Sequence, residues 1–306
     1  MGHNVLITGG AGALARFVAE ELRKDNNVVL FDRIAPHEHR MPWKTDLFFV
    51  KGDLTSLADC MRAITLAKAD VIIHLGAIPY PTDLQPGRQF FPQMMPEDTT
   101  MQTNVMGTYY LMDAARRIGT VKKVLFASTY YVLGLGNRIS GTPYKVEYLP
   151  IDEEHPCHPE DTYGLSKLMG EQIIEAYSRA YGFKAVAFRL MGISNPNNPY
   201  KFNFTPEPTP GHKGGPINTT YQYVDSRDVA YACRLAIEKD LDNDFEVFYL
   251  ITDNQYPGDT SEIVKSLYPD LKDMADNIKG KEGIITYRKI RELLGYEPKH
   301  SWRNQE

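Results

Sequence analysis

The sequence predicts an α/β fold: a doubly wound parallel sheet followed by a small C-terminal part. Two observations carry this. Short β-branched, apolar runs fall near residues 3–8, 27–32, 47–51, 70–75, 121–128, 184–190 and 247–252, and helical patterns lie between most of them. Such alternation implies parallel strands joined by crossover helices on both faces. The first run also leads directly into a glycine-rich turn and a helical pattern.

Val5-Leu6-Ile7 reads as a buried strand. It enters Thr8-Gly9-Gly10-Ala11-Gly12-Ala13-Leu14-Ala15, and Phe17, Val18 and Leu22 follow at helical spacing. Strand, glycine turn and helix in this order form a dinucleotide site, with Gly9, Ala11, Gly12, Ala13 and Leu14 around the ligand. Gly9 permits the tight turn. Gly12 lets a pyrophosphate approach the helix N-terminus, where free N–H groups attract anions. Ala15 is small enough for close helix–strand packing. The second strand, Val28-Val29-Leu30-Phe31, ends in Asp32, about 20 residues beyond the glycines, where a ribose-binding acid is expected. Asp32 would repel a 2′-phosphate, which favours NAD over NADP. Arg33 and Arg40 are the residues that could serve a 2′-phosphate instead.

The strand from Val121 ends in Ala127-Ser128-Thr129. Ligands of open α/β sheets bind at strand C-termini, so a hydroxyl here could hold a substrate oxygen. Tyr163-Gly164-Leu165-Ser166-Lys167 places a phenol and an ammonium four residues apart, on one helix face. A Lys charge beside the phenol favours its ionised form and pulls its pKa down from about 10. Tyr163 is therefore a candidate general acid/base. Asp161-Thr162 stands where a helix cap is expected.

The bounds agree with an enzyme of small molecules. A chain of 306 residues can build one large core, or a large domain plus a small one. A net charge of −5 carries no nucleic-acid or membrane footprint. Cys60, Cys157 and Cys233 are odd in number and far apart, so no disulfide framework is implied. No 18-residue apolar run exists and the N-terminus lacks a signal-type pattern, so a soluble, cytoplasmic protein is expected. No metal site is expected. His155-Pro156-Cys157-His158 has ligand-type residues but no distant Cys/His cluster to complete a set, and His37-Glu38-His39-Arg40 reads as an exposed loop.

Two proline-rich stretches interrupt the pattern. Ile78 to Thr99 contains Pro79, Pro81, Pro86, Pro92 and Pro96, and follows the fourth strand. A loop of this length is usually functional; Phe90, Phe91, Met94 and Met95 either cover a substrate or dock the loop. Ser194 to Pro216 is the second stretch.

In the order of its motifs the chain resembles the extended short-chain dehydrogenases/reductases, the NAD-dependent epimerase/dehydratase group, from residue 3 to about 235. The family's glycine motif corresponds to Thr8–Ala15, with Ala15 replacing the last glycine. Its adenine pair is similar to Asp53-Leu54, its fourth-strand motif to His74-Leu75-Gly76-Ala77, its helix asparagine to Asn104, and its hydroxyl strand to Ser128-Thr129. Phe188-Arg189-Leu190 and Tyr223 to Ala230 resemble the sixth strand and the helix start after the substrate loop. The resemblance implies a Rossmann-type domain over 1–190, to which 217–252 returns, and a substrate-binding part mainly over 191–306. It implies that NAD contacts Asp53, Leu54, Leu75, Gly76, Ala77, Asn104, Ala127, Ser128, Tyr163, Lys167 and Met191, besides the glycine turn, Asp32 and Arg33. Ile78, Tyr80, Thr129, Tyr130 and Gly192 would face the substrate.

Two departures narrow the chemistry. Gly192 stands where the nucleotide-sugar enzymes usually carry an asparagine, and no long phosphate-clamping segment follows. The short loop and the ending Leu294 to Arg303 are more similar to the uronate-dehydrogenase-like oxidoreductases. Tyr130-Tyr131 replace the Asp-Glu pair that the 4,6-dehydratases use, which argues against elimination. The resemblance thus implies hydride transfer between nicotinamide and a secondary hydroxyl of a sugar-type substrate, with Thr129, Tyr163 and Lys167 as the catalytic residues. A nucleotide-sugar 4-epimerase with tightly bound NAD is the alternative, and a cofactor-sensing regulator the non-enzymatic one. In the family, helices equivalent to those near 100–118 and 161–181 pair across a two-fold axis. Tyr109, Leu111, Met112, Ile173, Ile174 and Tyr177 supply apolar surface for such a homodimer.

Overall fold

The computed structural model of the chain describes residues 2–84, 95–142, 144–196, 222–254 and 257–304. One parallel sheet organises it, in the order β3-β2-β1-β4-β5-β6-β9. Its strands are β1 (Asn4–Thr8), β2 (Asn27–Asp32), β3 (Phe48–Lys51), β4 (Val71–His74), β5 (Lys123–Thr129), β6 (Lys184–Leu190) and β9 (Phe245–Leu250). All seven expected runs are strands, with ends displaced by a few residues. Val71, Ile72 and Ile73 are buried on both sides of the sheet, as continuous apolar strands between two helical layers must be.

One face carries α1 (Ala13–Leu22), α6 (Ser226–Glu238) and α9 (Arg288–Leu294), packed around Val18, Leu30, Phe188 and Ile290. The other carries α2 (Leu57–Ala67), α4 (Gly107–Ile118) and α5 (Thr162–Tyr181), packed around Ile64, Leu111, Phe126 and Ile174. The helix before α4 begins as α3 (Thr99–Met101) and passes through a π-helical turn, Gln102–Met106. Beyond the sheet, β7 (Ile193–Ser194) pairs with β8 (Val224–Asp225), and α7 (Thr260–Leu267) and α8 (Lys272–Ala275) join a third core around Met191, Tyr249, Ile251 and Ile284.

Three features of the chain aim this frame at one site. The strand order reverses between β1 and β4, which opens a crevice at their C-terminal ends. The register sets Thr8 beside His74, and Ser128 and Thr129 beside Arg189 and Leu190, so these residues share one edge of the sheet. Gly170 lets α5 settle onto β5, since a Cβ there would stand 2.6 Å from the Phe126 ring. Asp161 caps α5 as expected, accepting the Gly164 N–H at 2.7 Å. Phe90, Phe91 and Met94, and all of the second proline-rich stretch after Pro196, lie outside the described residues.

Candidate active site

The crevice begins at the glycine turn. Gly9 has φ +67°, and a Cβ there would stand 2.7 Å from Gly76, so only glycine fits between β1 and β4. Gly12 is the N-cap of α1 without a side-chain cap, and no acidic residue occupies the first turn. The free N–H groups of that turn suit an anion. Ala11, Ala13 and Leu14 flank this N-terminus. Asp32 accepts the N–H of Ala11 at 3.0 Å and of Arg33 at 2.6 Å, so its carboxylate is tied to the turn. The exposed Arg33 guanidinium lies 4.0 Å from Asp53. Asp53 accepts the N–H and hydroxyl of Thr55, while Leu54 is buried against Gly76 and Gly107. These residues fit a dinucleotide: a cradle that a Cβ would fill, an uncapped helix end and a carboxylate at the ribose position. Trp43, which carries no motif in the sequence, pins the turn from the loop after β2. Its indole N–H donates to Ala11 O at 3.2 Å.

Under the turn runs a buried hydrogen-bond chain with one consistent direction. Gly76 N–H donates to Thr8 Oγ1 at 3.2 Å, and Thr8 Oγ1 lies 2.7 Å from His74 Nδ1. His74 Nε2 lies 3.0 Å from Thr108 Oγ1, which itself donates to Asn104 O at 2.6 Å. Because the Thr108 proton is used there, His74 must carry its own proton on Nε2 and accept from Thr8 on Nδ1. Burial pushes the His74 pKa down to about 3, so the ring is neutral. Asn104 uses both amide protons inside the protein, on Ile78 O and Ser166 Oγ, and accepts the Ile78 N–H at 2.8 Å. Asn104 therefore fastens the start of the long loop to α5. Both of its donors are engaged, so it acts on a ligand through the segment it holds. Ser166 passes the link on to Tyr163 O.

At the end of β5, three successive residues meet one face of α5. Thr129 Oγ1 accepts the Tyr131 N–H at 3.3 Å, and its hydroxyl is near enough to the Tyr163 phenol to favour the ionised form. Ala127 O accepts from Lys167 Nζ at 2.7 Å. The Ser128 hydroxyl donates to Glu171. Thr129, Tyr163 and Lys167 are thus brought together. The expected effect of Lys167 on the phenol is corrected: burial raises the Tyr163 pKa, the nearby Thr129 hydroxyl opposes this, and Tyr131 and Asp161 add to it. Lys167 is itself desolvated, which lowers its pKa to about 7 against the pull of Glu171, and its Nζ sits over the Phe126 ring.

The remaining expected residues border this end of the sheet. Leu75, Gly76, Ala77 and Ile78 follow β4. Tyr80 O accepts the Thr100 hydroxyl at 2.9 Å, and Thr162 Oγ1 donates to Asp83, so residues 78–84 are strapped onto α3 and α5. The Tyr130 and Tyr131 rings are 4.6 Å apart, and Tyr131 meets the Tyr163 ring edge-on. Met191 is buried after β6, and Gly192 O accepts the Val224 N–H. His155 is buried and bonds Tyr144 and the Glu147 N–H. No group of three metal-type ligands converges among the described residues.

A parallel sheet with this glycine turn and a Tyr–Lys pair at the end of β5 has the architecture of the short-chain dehydrogenases/reductases. Residues 5–249 match the NAD dependent epimerase/dehydratase family, and the chain belongs to it. The chain is 28% identical to a putative UDP-glucose 4-epimerase of Methanocaldococcus jannaschii, over 62% of this chain and 55% of the relative. It is 30% identical to a uronate dehydrogenase of Pseudomonas syringae, over 61% and 58%. The matches thus span little more than half the length of these relatives. Among solved structures, UDP-glucose 4-epimerase of Thermotoga maritima with UDP-glucose superposes with a TM-score of 0.65 at 22% identity, over 97% of this chain and 94% of that one. A short-chain dehydrogenase/reductase superfamily protein of Agrobacterium tumefaciens with bound NAD gives 0.64 at 21%, over 97% and 93%. At this identity the likeness is one of fold.

Proposed function

We propose that the chain is an NAD-dependent oxidoreductase that transfers a hydride between nicotinamide and a secondary hydroxyl of a sugar or sugar-derived substrate. The observation that carries this reading is the Tyr163–Lys167 pair one helical turn apart on α5, with Lys167 seated on Ala127 O at the end of β5, where Thr129 follows. The turn from Gly9 to Leu14, Asp32, Asp53, Leu54, Leu75 to Ala77 and Met191 would hold the NAD. When bound, NAD supplies the hydride acceptor. Tyr163, as the phenolate, would take the hydroxyl proton as the substrate is oxidised and become the phenol; on reduction the phenol would return it. Thr129 holds the same oxygen in line with the phenol. Lys167 would help hold the nicotinamide ribose, and its ammonium would offset the negative charge of the Tyr163 phenolate. Ile78, Tyr80, Tyr130 and Gly192 border the substrate. The sheet domain then covers 1–190 with 217–252, and 191–306 mainly serves the substrate.

A nucleotide-sugar 4-epimerase is the second reading, favoured by the epimerases among the relatives. A regulator that only senses cofactor would show no turnover. A screen of uronic acids, aldoses and UDP-sugars tests the proposal, read by NADH absorbance with added NAD and by chromatography of the sugars without it. Stoichiometric NADH supports the dehydrogenase, and turnover without added NAD supports the epimerase. No reaction with any of them defeats both. The enzyme would work as a homodimer in the cytoplasm, a setting that suits the free thiols Cys60, Cys157 and Cys233.

A further inference from the structure

Behind the Tyr–Lys pair lies a buried charge cluster that the proposed chemistry does not use. Glu171 and Arg189 are 4% and 5% exposed. Arg189 Nε donates to Glu171 Oε1 at 3.1 Å and Nη2 to Oε2 at 2.9 Å. Ser128 donates to Oε1 as well. The other arm of Arg189, Nη1, is fixed by Glu153 O at 3.3 Å and the Tyr249 hydroxyl at 3.4 Å. The carboxylate is therefore held from β5 and β6 together, one turn after Lys167 on α5.

We infer that Glu171 is the positioning residue of the Tyr163–Lys167 pair: a fixed counter-charge that keeps the Lys167 ammonium charged and seated on Ala127 O. This rests on the proposed roles of Tyr163 and Lys167. A buried ion pair is weak support for stability, because desolvation offsets the attraction, so stability alone is a poor reason for this one. Its placement supplies another. Ser128 ties the carboxylate to the residue next to Ala127, whose carbonyl takes Lys167 Nζ. The groups facing Lys167 are Glu171 and Tyr163 on α5, Phe126 and Ala127 on β5, and neutral His74 on β4, with Arg189 on β6 behind the carboxylate. Among the charged groups of this set Glu171 opposes the desolvation of the ammonium, beside the Ala127 carbonyl and the Phe126 ring.

The test is a pH titration of the apo protein labelled with 13Cε-lysine, with the Lys167 resonance assigned by its loss in Lys167→Arg. Glu171→Gln keeps the shape of the side chain. Glu171→Gln with Arg189→Met removes both charges, so no unpaired guanidinium is left to unfold the core. In either variant the Lys167 midpoint should fall by about one pH unit or more. An unchanged midpoint in the folded variants overturns the inference. With the substrate found by the screen, Glu171→Gln should lower kcat about ten- to a hundredfold and leave KM nearly unchanged. Glu171→Asp, which keeps the charge on a shorter arm, should restore the midpoint but not kcat. A full kcat in Glu171→Asp would overturn the positioning role. A wild-type protein without turnover defeats the hydride-transfer reading, while the apo titration still decides the role of Glu171 as counter-charge.

Discussion

Thr8 Oγ1 lies 2.7 Å from His74 Nδ1, and this contact joins the strand that opens the glycine turn to the strand that backs it. It is the middle of a chain that ends at Tyr163 O, so the cofactor turn and the Tyr163 helix share one buried network.

His74→Leu should leave the Thr8 hydroxyl proton without its acceptor in the core, at about 1–3 kcal/mol, while Thr108 keeps its bond to Asn104 O. Urea unfolding should show the loss, and calorimetry should show weaker NAD binding. The folded ring titrates at about 3, well below the ordinary value of 6.5. Between these values the unfolded state binds more protons, so stability falls as pH falls from about 6.5 toward 3. His74→Gln should show a shallower fall over that window. An identical pH slope would remove His74 from the acid response.

Much of this frame was legible in the chain, and the reason is local. Val5-Leu6-Ile7, Gly9, Gly12 and Asp32 act within one βαβ unit, so spacing alone carries their geometry. Tyr163 and Lys167 are one helical turn apart and read equally well. Glu171 stands at the next turn of the same face, and the pattern Tyr-x-x-x-Lys-x-x-x-Glu would have flagged it if the cost of burying a charge had been applied. Its partner Arg189 comes from a strand 18 residues on, where only the fold brings the two together. The roles of Ser128 and Asn104 depend on which way a side chain turns, a choice made by Glu171 and by the Ile78 backbone. Trp43 reaches the turn through a tertiary contact that no periodicity announces. The pKa of Tyr163 was misread because helix spacing gives the neighbour but not the burial.

Tyr163→Phe keeps the ring against Tyr131 and removes the ionisable hydroxyl. Turnover should drop by about 10²-fold or more, the scale of general acid–base catalysis. Calorimetric NAD affinity should stay near that of the wild type. Full activity would move the proton transfer to another residue.

Cofactor choice follows from Asp32. With its oxygens committed to the Ala11 and Arg33 N–H groups, the carboxylate stays at the ribose position and faces any 2′-phosphate with like charge. Titration calorimetry should find NAD tighter than NADP by about tenfold or more, or about 1.4 kcal/mol. Asp32→Ser should narrow the gap. Tighter NADP binding by the wild type would mean that Arg33 or Arg40 governs the site.

A homodimer through α4 and α5 is the expected assembly. Leu111, Met112 and Ile174 are core residues, whereas Tyr109 is 40% exposed and Tyr181 51%. Tyr109, Tyr177 and Tyr181 form a continuous aromatic row, and Leu165 is also exposed on α5. Such a row suits an isologous contact. Light scattering at micromolar concentration should report a dimer, and Tyr109→Arg with Tyr181→Glu should yield monomers. A monomeric wild type would leave the row as ordinary surface.

Lys167 should be retained at a cost to stability. Its folded pKa of about 7 lies below the ordinary 10.5. Between those values the unfolded chain binds the extra proton, so the group makes stability rise with pH from about 7 to 10.5, and below 7 the full penalty remains. Lys167→Met keeps an unbranched apolar arm under Phe126 and removes the ammonium. Thermal unfolding at pH 7 should therefore show a higher Tm than the wild type, and the gain should shrink toward pH 10. The Glu171–Arg189 pair keeps its partners in this variant, so the gain is not offset by a new unpaired charge. Turnover should be lost in the same protein. A lower Tm at pH 7 would show that the bond to Ala127 O outweighs the desolvation of the ammonium, and that Lys167 holds the fold as well as the site.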